Sequence, residues 1–265
     1  MAVRCGLFVH SAAGRGDGAG CGGVVLTSRI TVVASTASTN ADLLAAAAKM
    51  APWPEGHWLV ADRQSAGRGR MGRTWSDGAG NFMGSTTVHL RANDPPPHSL
   101  ALLAALVVHD TLRSLGAPAS LLIKWPNDLL VDGAKLVGVL AERAGDHVVV
   151  GIGINLVEAP QIAGRLTTHL AALGCPVDRD VVAATLATHF DDGLAEWRRG
   201  GWPDAILARW YAAALPRGTA LTLSEGAHAG LTGRFDGLER DGSLAIILAD
   251  GRRTIVHAGE VALAQ

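Results

Sequence analysis

Three short stretches of this chain carry residue types that could do chemistry together. Residues 64–75 (QSAGRGRMGRTW) place Arg68, Arg70 and Arg73 within six positions, interleaved with Gly67, Gly69 and Gly72. Guanidinium groups grip phosphate through forked, charge-assisted hydrogen bonds, and glycines let a backbone wrap closely round an anion. Trp75 ends this stretch with a flat face on which an adenine could stack. Like charges so close repel one another, so the loop is expected to be mobile when empty and ordered by its ligand. A second stretch, KWPND at 124–128 with Lys135 beyond it, supplies ammonium groups. A compact point charge suits a carboxylate and an α-phosphate meeting in one small site. Lys124 is the candidate for that role, and Lys135, just after an Asp-Gly turn, is a second. Pro126 stiffens the segment, while Asn127 and Asp128 can hold it by bonding to the backbone. Third, GIGIN at 151–155 puts glycines inside an apolar strand, the mark of a bulge or a close backbone approach, with the amide of Asn155 at its end.

Each stretch also has a plain reading: a solvated Arg-rich turn, a lysine at a strand end, a packed strand capped by Asn. One functional alternative fails outright. Gly67, Gly69 and Gly72 spell G-x-G-x-x-G, but a dinucleotide site needs a helix after the last glycine and an acid about 20 residues on. Here Arg-Thr-Trp-Ser-Asp-Gly follows Gly72, and no acidic residue lies near position 87.

Composition narrows the field further. The chain has 265 residues, 23 basic against 24 acidic, and 48% hydrophobic residues, enough to bury a sizeable core. A net charge of −1 argues against a general nucleic-acid binder, though it allows one concentrated basic patch. Of the basic residues 20 are Arg and only three are Lys: Lys49, Lys124 and Lys135. That scarcity sharpens attention on Lys124; Lys49 closes an Ala-rich helix, where a cation favours the helix dipole. Cys5, Cys21 and Cys175 lack the spacing of a disulfide framework or a zinc site, so reduced thiols in a cytoplasmic protein are expected. No metal site is expected, and no apolar run approaches the roughly 20 residues that span a bilayer.

The elements that must position these groups can be read in order. Residues 14–23 hold six glycines, so 1–28 reads as a flexible tail. Strands are expected at 29–34, 57–62, 81–90, 121–125, 128–131, 135–142 and 147–156. The Asp132–Gly133 pair marks a hairpin between two of them. Ser-Thr-Asn at 38–40 is an N-cap signal before an Ala/Leu-rich helix stopped by Pro52. Further helices are expected at 99–115, 179–198 and 203–214. From 218 to 265 short strands alternate with turns at 225–226, 241–242 and 250–251, a small β-barrel. The class is α+β, because clustered hairpins do not suit repeated βαβ units.

Taken in order, STN at 38–40, QSAGRGRMGRTW at 64–75, KWPNDLLVDGAKLVGVL at 124–140 and GIGINL at 151–156 resemble the biotin protein ligases. The resemblance implies a class II aminoacyl-tRNA synthetase-like catalytic domain with a mixed sheet (29–215) and an SH3-like C-terminal domain (218–265). It implies that ATP with Mg²⁺ activates biotin as biotinyl-5′-AMP, which a lysine of a biotin carboxyl carrier protein then attacks. By position, Ser38, Thr39, Asn40 and Gln64 would line the biotin site, and Arg68, Gly69 and Arg70 would fold over biotin and the adenylate. Lys124 would bridge the biotin carboxylate and the phosphate, with Arg70 sharing the catalytic role. Arg73, Trp75, Asn127, Lys135 and Asn155 would face the nucleotide. Many members carry another basic residue where this chain has Met71. Sheet-edge homodimers occur in the family. The bifunctional members have an N-terminal helix-turn-helix for which residues 1–28 are too few, so no DNA partner is expected. The rival readings are a lipoate-type protein ligase on the same scaffold and a non-catalytic nucleotide- or nucleic-acid-binding module.

Overall fold

The computed structural model describes residues 3–4, 29–51, 53–202, 204–225 and 229–264. Apart from residues 3–4, the expected tail lies outside the described residues. So do Pro52, Pro203 and Gly226 of the expected turn at 225–226.

Eight strands form a mixed sheet: β1 (Val3–Arg4), β2 (Ile30–Val33), β3 (Trp58–Ala61), β4 (Phe82–His89), β5 (Leu121–Lys124), β6 (Asp128–Val131), β7 (Ala134–Ala144) and β8 (His147–Ile154). Their spatial order is β1-β2-β3-β4-β8-β7-β6-β5. Only β2 and β3 run parallel, joined by a crossover through helix α1 (Thr39–Ala48); the remaining neighbours are antiparallel. The β5–β6–β7–β8 run is a meander of hairpins. Its Asp132–Gly133 turn has both residues at positive φ (48° and 82°), which the tight hairpin geometry demands.

Side-chain alternation assigns the two faces of the sheet. Trp58, Val60, Val148, Val150 and Ile152 join the main core beneath helices α2 (Ser99–Ser114) and α3 (Arg179–Glu196). Leu59, Ala61 and Val149 point the other way and pack with Leu43 of α1. Ser38 caps α1, its hydroxyl accepting from the Ala41 amide, as the Ser-Thr-Asn signal predicts. Asp178 caps α3 in the same manner. None of the described helices is long and apolar enough to cross a membrane.

A second, five-stranded antiparallel sheet follows helix α4 (Ala205–Ala213). It comprises β9 (Ala220–Glu225), β10 (Thr232–Leu238), β11 (Leu244–Leu248), β12 (Arg253–Val256) and β13 (Glu260–Leu263), in the order β12-β11-β10-β9-β13. Gly242 and Gly251, in the expected turns, both adopt positive φ. Its inward residues Leu221, Leu223, Phe235 and Leu244 share one apolar cluster with Trp210 of α4 and with α2. The Trp125 indole, just beyond β5, donates to Gly242 O (3.0 Å), and the Trp202 indole, in the segment between α3 and α4, donates to Arg240 O (3.1 Å), tying the second sheet to the first sheet and its helices.

Candidate active site

A cavity of about 510 Å³ opens on the sheet face that α1 covers. Its floor is set by strand register. Gly153 of β8 lies opposite Met83 of β4 and Gly138 of β7, and Gly138 lies opposite Asp128 of β6, itself opposite Lys124 of β5. The next row holds Ser85, Gly151 and Leu140, and the one after it Thr87, Val149 and Glu142. The glycines are required here. A Cβ on Gly151 would collide with the Asn40 amide, and one on Gly153 with the Trp75 indole. At Gly138 it would come within 2.8 Å of the same indole. The close backbone approach expected of GIGIN is therefore a seat for two side chains.

One end of the cavity is a fixed polar network. Gln64 Oε1 accepts from the Thr39 amide (2.8 Å), which orients the Gln64 side chain. The Thr39 and Ser85 hydroxyls lie 2.7 Å apart, Ser85 donates to Asn40 Oδ1 (2.6 Å), and Asn40 Nδ2 donates to Glu142 Oε2 (2.9 Å). All but Glu142 are buried. Buried and satisfied, these groups present a rigid pattern of donors and acceptors to a polar ring system.

The other end is cationic. Arg70 donates to Asn127 Oδ1 and to Gly259 O, both at 3.1 Å, and Asn127 is itself anchored on Val139 O (2.6 Å). Arg73 forms a forked ion pair with the buried Glu260, and Arg165 reaches the same carboxylate at 3.3 Å. Arg68 pairs with Glu142 Oε1 at 3.1 Å. The expected self-repulsion of the arginine loop is thus offset by carboxylates on β7 and β13. Within the loop, Arg70–Gly72 forms a single helical turn, with Met71 at φ 54° and 71% exposed.

The expected residues Ser38, Thr39, Asn40, Gln64, Arg68, Gly69, Arg70, Arg73, Trp75, Asn127, Lys135 and Asn155 all line this cavity. Lys124 stands just behind that lining, in the same register row as the cavity-lining Asp128 and Gly138. Its ammonium is buried beneath β13, donating to Val261 O (2.6 Å) and pairing with Asp128 at 3.1 Å. Lys135 holds the cavity side of Asp128, at 2.5 Å, with its ammonium 5.9 Å from the centre of the Trp75 ring. The register explains how Lys135 comes to face the cavity. Strict alternation from Val137 and Val139, both core residues, would send Lys135 into the core as well. A bulge where β7 opposes Leu129 and Leu130 shifts the strand by one residue, so Leu136 enters the core and Lys135 emerges on the site face.

Burial alone would raise the Asp128 carboxyl, but Lys124 and Lys135 outweigh it and hold that group below the ordinary aspartate range. Burial lowers the Lys124 ammonium, and Asp128 opposes that effect only in part. Asn155 donates to Thr168 O (3.1 Å), while the Lys135 amide donates to Leu166 O (2.8 Å). These bonds tie the segment after β8 along the rim. Sequence reasoning missed Ser85, Glu142, Arg165 and Glu260. Ser85 and Glu142 could have been found by extending the two-residue alternation from the glycines, whereas no local signal marks Arg165 or Glu260.

No group of three or more His, Cys, Asp or Glu side chains is placed to hold a metal ion among the described residues. The carboxylates about the cavity, Asp128, Glu142 and Glu260, are each paired with cations of the chain.

Residues 32–155 match the model of the biotin/lipoate A/B protein ligase family. The chain is 38% identical over 245 residues to the biotin–[acetyl-CoA-carboxylase] ligase of Mycobacterium tuberculosis, covering 88% of each sequence. It is 35% identical over 244 residues to the ligase of the same name from Paracoccus denitrificans, covering 87% of this chain and 98% of that one. Among solved structures, the biotin protein ligase from Aquifex aeolicus in complex with biotin and ATP superposes with a TM-score of 0.76 at 26% identity, covering 89% of this chain and 98% of that one. With its motifs gathered on one cavity and its relatives matched over most of their length, the chain belongs to the biotin protein ligase family.

Proposed function

We propose that the cavity activates biotin with ATP and delivers it to a lysine of a biotin carboxyl carrier protein. The observation that carries this reading is the pairing, in one cavity, of a fixed polar network with a cluster of loop arginines and Lys135 across a glycine floor. In the first step a biotin carboxylate oxygen attacks the α-phosphorus of ATP. A new O–P bond forms, the bond to the bridging oxygen breaks, and pyrophosphate leaves with the electron pair. In the second, the carrier amine attacks the carbonyl of biotinyl-5′-AMP; an amide forms, AMP leaves and the amine loses a proton.

Attack of one anion on another needs positive charge already in place. Each preorganised donor of that kind contributes about 3 kcal/mol. Lys135 and Arg70 are assigned this role: Lys135 lies between Asp128 and Trp75, and Asn127 and Gly259 O fix the Arg70 fork. Ser38, Thr39, Asn40 and Gln64 are assigned the biotin ring, with Arg68 and Gly69 closing over it. Arg73, Trp75, Asn127 and Asn155 are assigned the nucleotide. Lys124 is assigned a supporting part, holding Asp128 and β13. Asp128, Glu142 and Glu260 are engaged by cations of the chain, so Mg²⁺ would be carried by the ATP phosphates and water and would supply charge neutralisation there. The finer architecture follows the same reading: a class II synthetase-like unit at 29–215 and an SH3-like barrel at 218–265, in a cytoplasmic enzyme able to form a sheet-edge homodimer.

Purified protein incubated with biotin, MgATP and a carrier domain should yield a streptavidin-reactive carrier, with one pyrophosphate released per adenylate. Lipoyl transfer without biotinyl transfer would instead select the lipoate-type reading. Lys135→Ala is expected to slow pyrophosphate release by about 10²–10³-fold with the circular dichroism of the native fold retained. A near-normal rate in that variant would return the role to Lys124.

A further inference from the structure

The segment between β8 and α3 forms one wall of the cavity, and it carries a charge that lies outside the stretches singled out in the sequence. Its position is fixed by the backbone. Lys135 N donates to Leu166 O (2.8 Å) and Thr168 N donates to Lys135 O (3.0 Å), which holds the chain beside the Lys135 strand. Arg165, one residue earlier, lines the cavity and shares Glu260 with Arg73. Among the described residues the cavity is lined by five cations (Arg68, Arg70, Arg73, Lys135, Arg165) and two carboxylates (Asp128, Glu260). Cations outnumber carboxylates along this lining, which suits a magnesium-neutralised triphosphate together with a carboxylate.

Glu260 has the complementary property. It is a buried carboxylate at the start of β13, gripped by two arginines and standing where an anionic ligand would compete for them. Building on the ligase reading, we propose that Arg165 is a nucleotide-binding residue for the ATP polyphosphate, and that Glu260 is its placeholder in the empty site. In the empty cavity Glu260 neutralises Arg73 and Arg165. When MgATP enters, the forked guanidinium of Arg165 turns from carboxylate to phosphate, which presents the same planar pair of acceptors. The proximity of this charge to the lysine cluster is consistent with the geometry, for Arg165 acts electrostatically to lower the Lys124 ammonium.

Titration calorimetry with MgATP and, separately, with biotin tests the proposal on the full chain. Arg165→Ala should weaken MgATP binding at least tenfold while leaving nucleotide-free biotin affinity within twofold, and Arg165→Lys should recover part of the loss. Glu260→Gln, nearly isosteric, removes the competing charge and should leave MgATP affinity equal or higher. An Arg165→Ala affinity for MgATP within twofold of the unaltered chain would overturn the proposal. So would equal weakening by Arg165→Ala and Glu260→Gln, because a merely structural ion pair is lost in both. Failure of the ligase reading shows differently: Arg165-dependent MgATP binding with no biotin-dependent pyrophosphate release.

Discussion

Asp128 is held between two ammonium groups in a nearly dry environment, with its side chain 3% exposed. Replacing it by Asn leaves Lys124 and Lys135 without their counter-charge, a change that costs about 3 kcal/mol or more for a buried pair. Urea unfolding at neutral pH should show that loss. The pH dependence has a definite direction. An unfolded aspartate takes up its proton near pH 3.9, roughly, and the folded Asp128 only at lower pH, because its lysine partners favour the charged form. Stability from these pairs is therefore present above the unfolded value and drains away as pH falls through the folded one. Asp128→Asn should flatten the acid limb of the stability profile below about pH 4; an unchanged acid limb would remove Asp128 from its part in the cluster.

At the scale of elements, the paired glycines of β7 and β8 give the cavity its depth. Gly153→Ala puts a methyl into the Trp75 indole, and the ring must rise into the space assigned to the nucleotide. We expect the KM for ATP to rise about tenfold or more, corresponding to at least 1.4 kcal/mol of lost transition-state binding. Steady-state pyrophosphate release at saturating biotin measures it. Much of this scaffold is legible in the sequence. The Ser38 cap, the Asp132–Gly133 hairpin, the glycine punctuation of GIGIN and the cation-rich loop all act through contacts a few residues long. Lys135 is harder to place, because its face depends on a bulge that no residue type announces. The Glu260 carboxylate lies 187 positions from Arg73, and only the packing of the second sheet against the first brings it there. The strand, helix and strand of the β2–α1–β3 crossover are legible in order, but their parallel pairing is not, because a single such unit leaves no repeat among so many hairpins.

Across the whole molecule, the two sheets share one core, and the contacts between them reach into the chemistry. Trp125, within the KWPND motif, donates to Gly242 O of the second sheet at 3.0 Å. Trp125→Phe leaves that carbonyl unpaired and should cost about 1–3 kcal/mol. In a protein of this size the melting temperature should fall by about 2–4 °C for each kcal/mol, and an unchanged melting curve would show that the two sheets are held by apolar packing alone. The burial of Lys124 under β13 has a consequence in time. β13 is made after every other residue that lines the cavity. At synthesis rates of about 5–20 residues per second, the rest of the site precedes it on the ribosome by seconds. During that interval Lys124 has no Val261 carbonyl, and Arg73 and Arg165 have no Glu260. Until that strand is translated, the site lacks both the carboxylate that answers Arg73 and Arg165 and the carbonyl that fixes Lys124, so its cationic end is the last part to be completed.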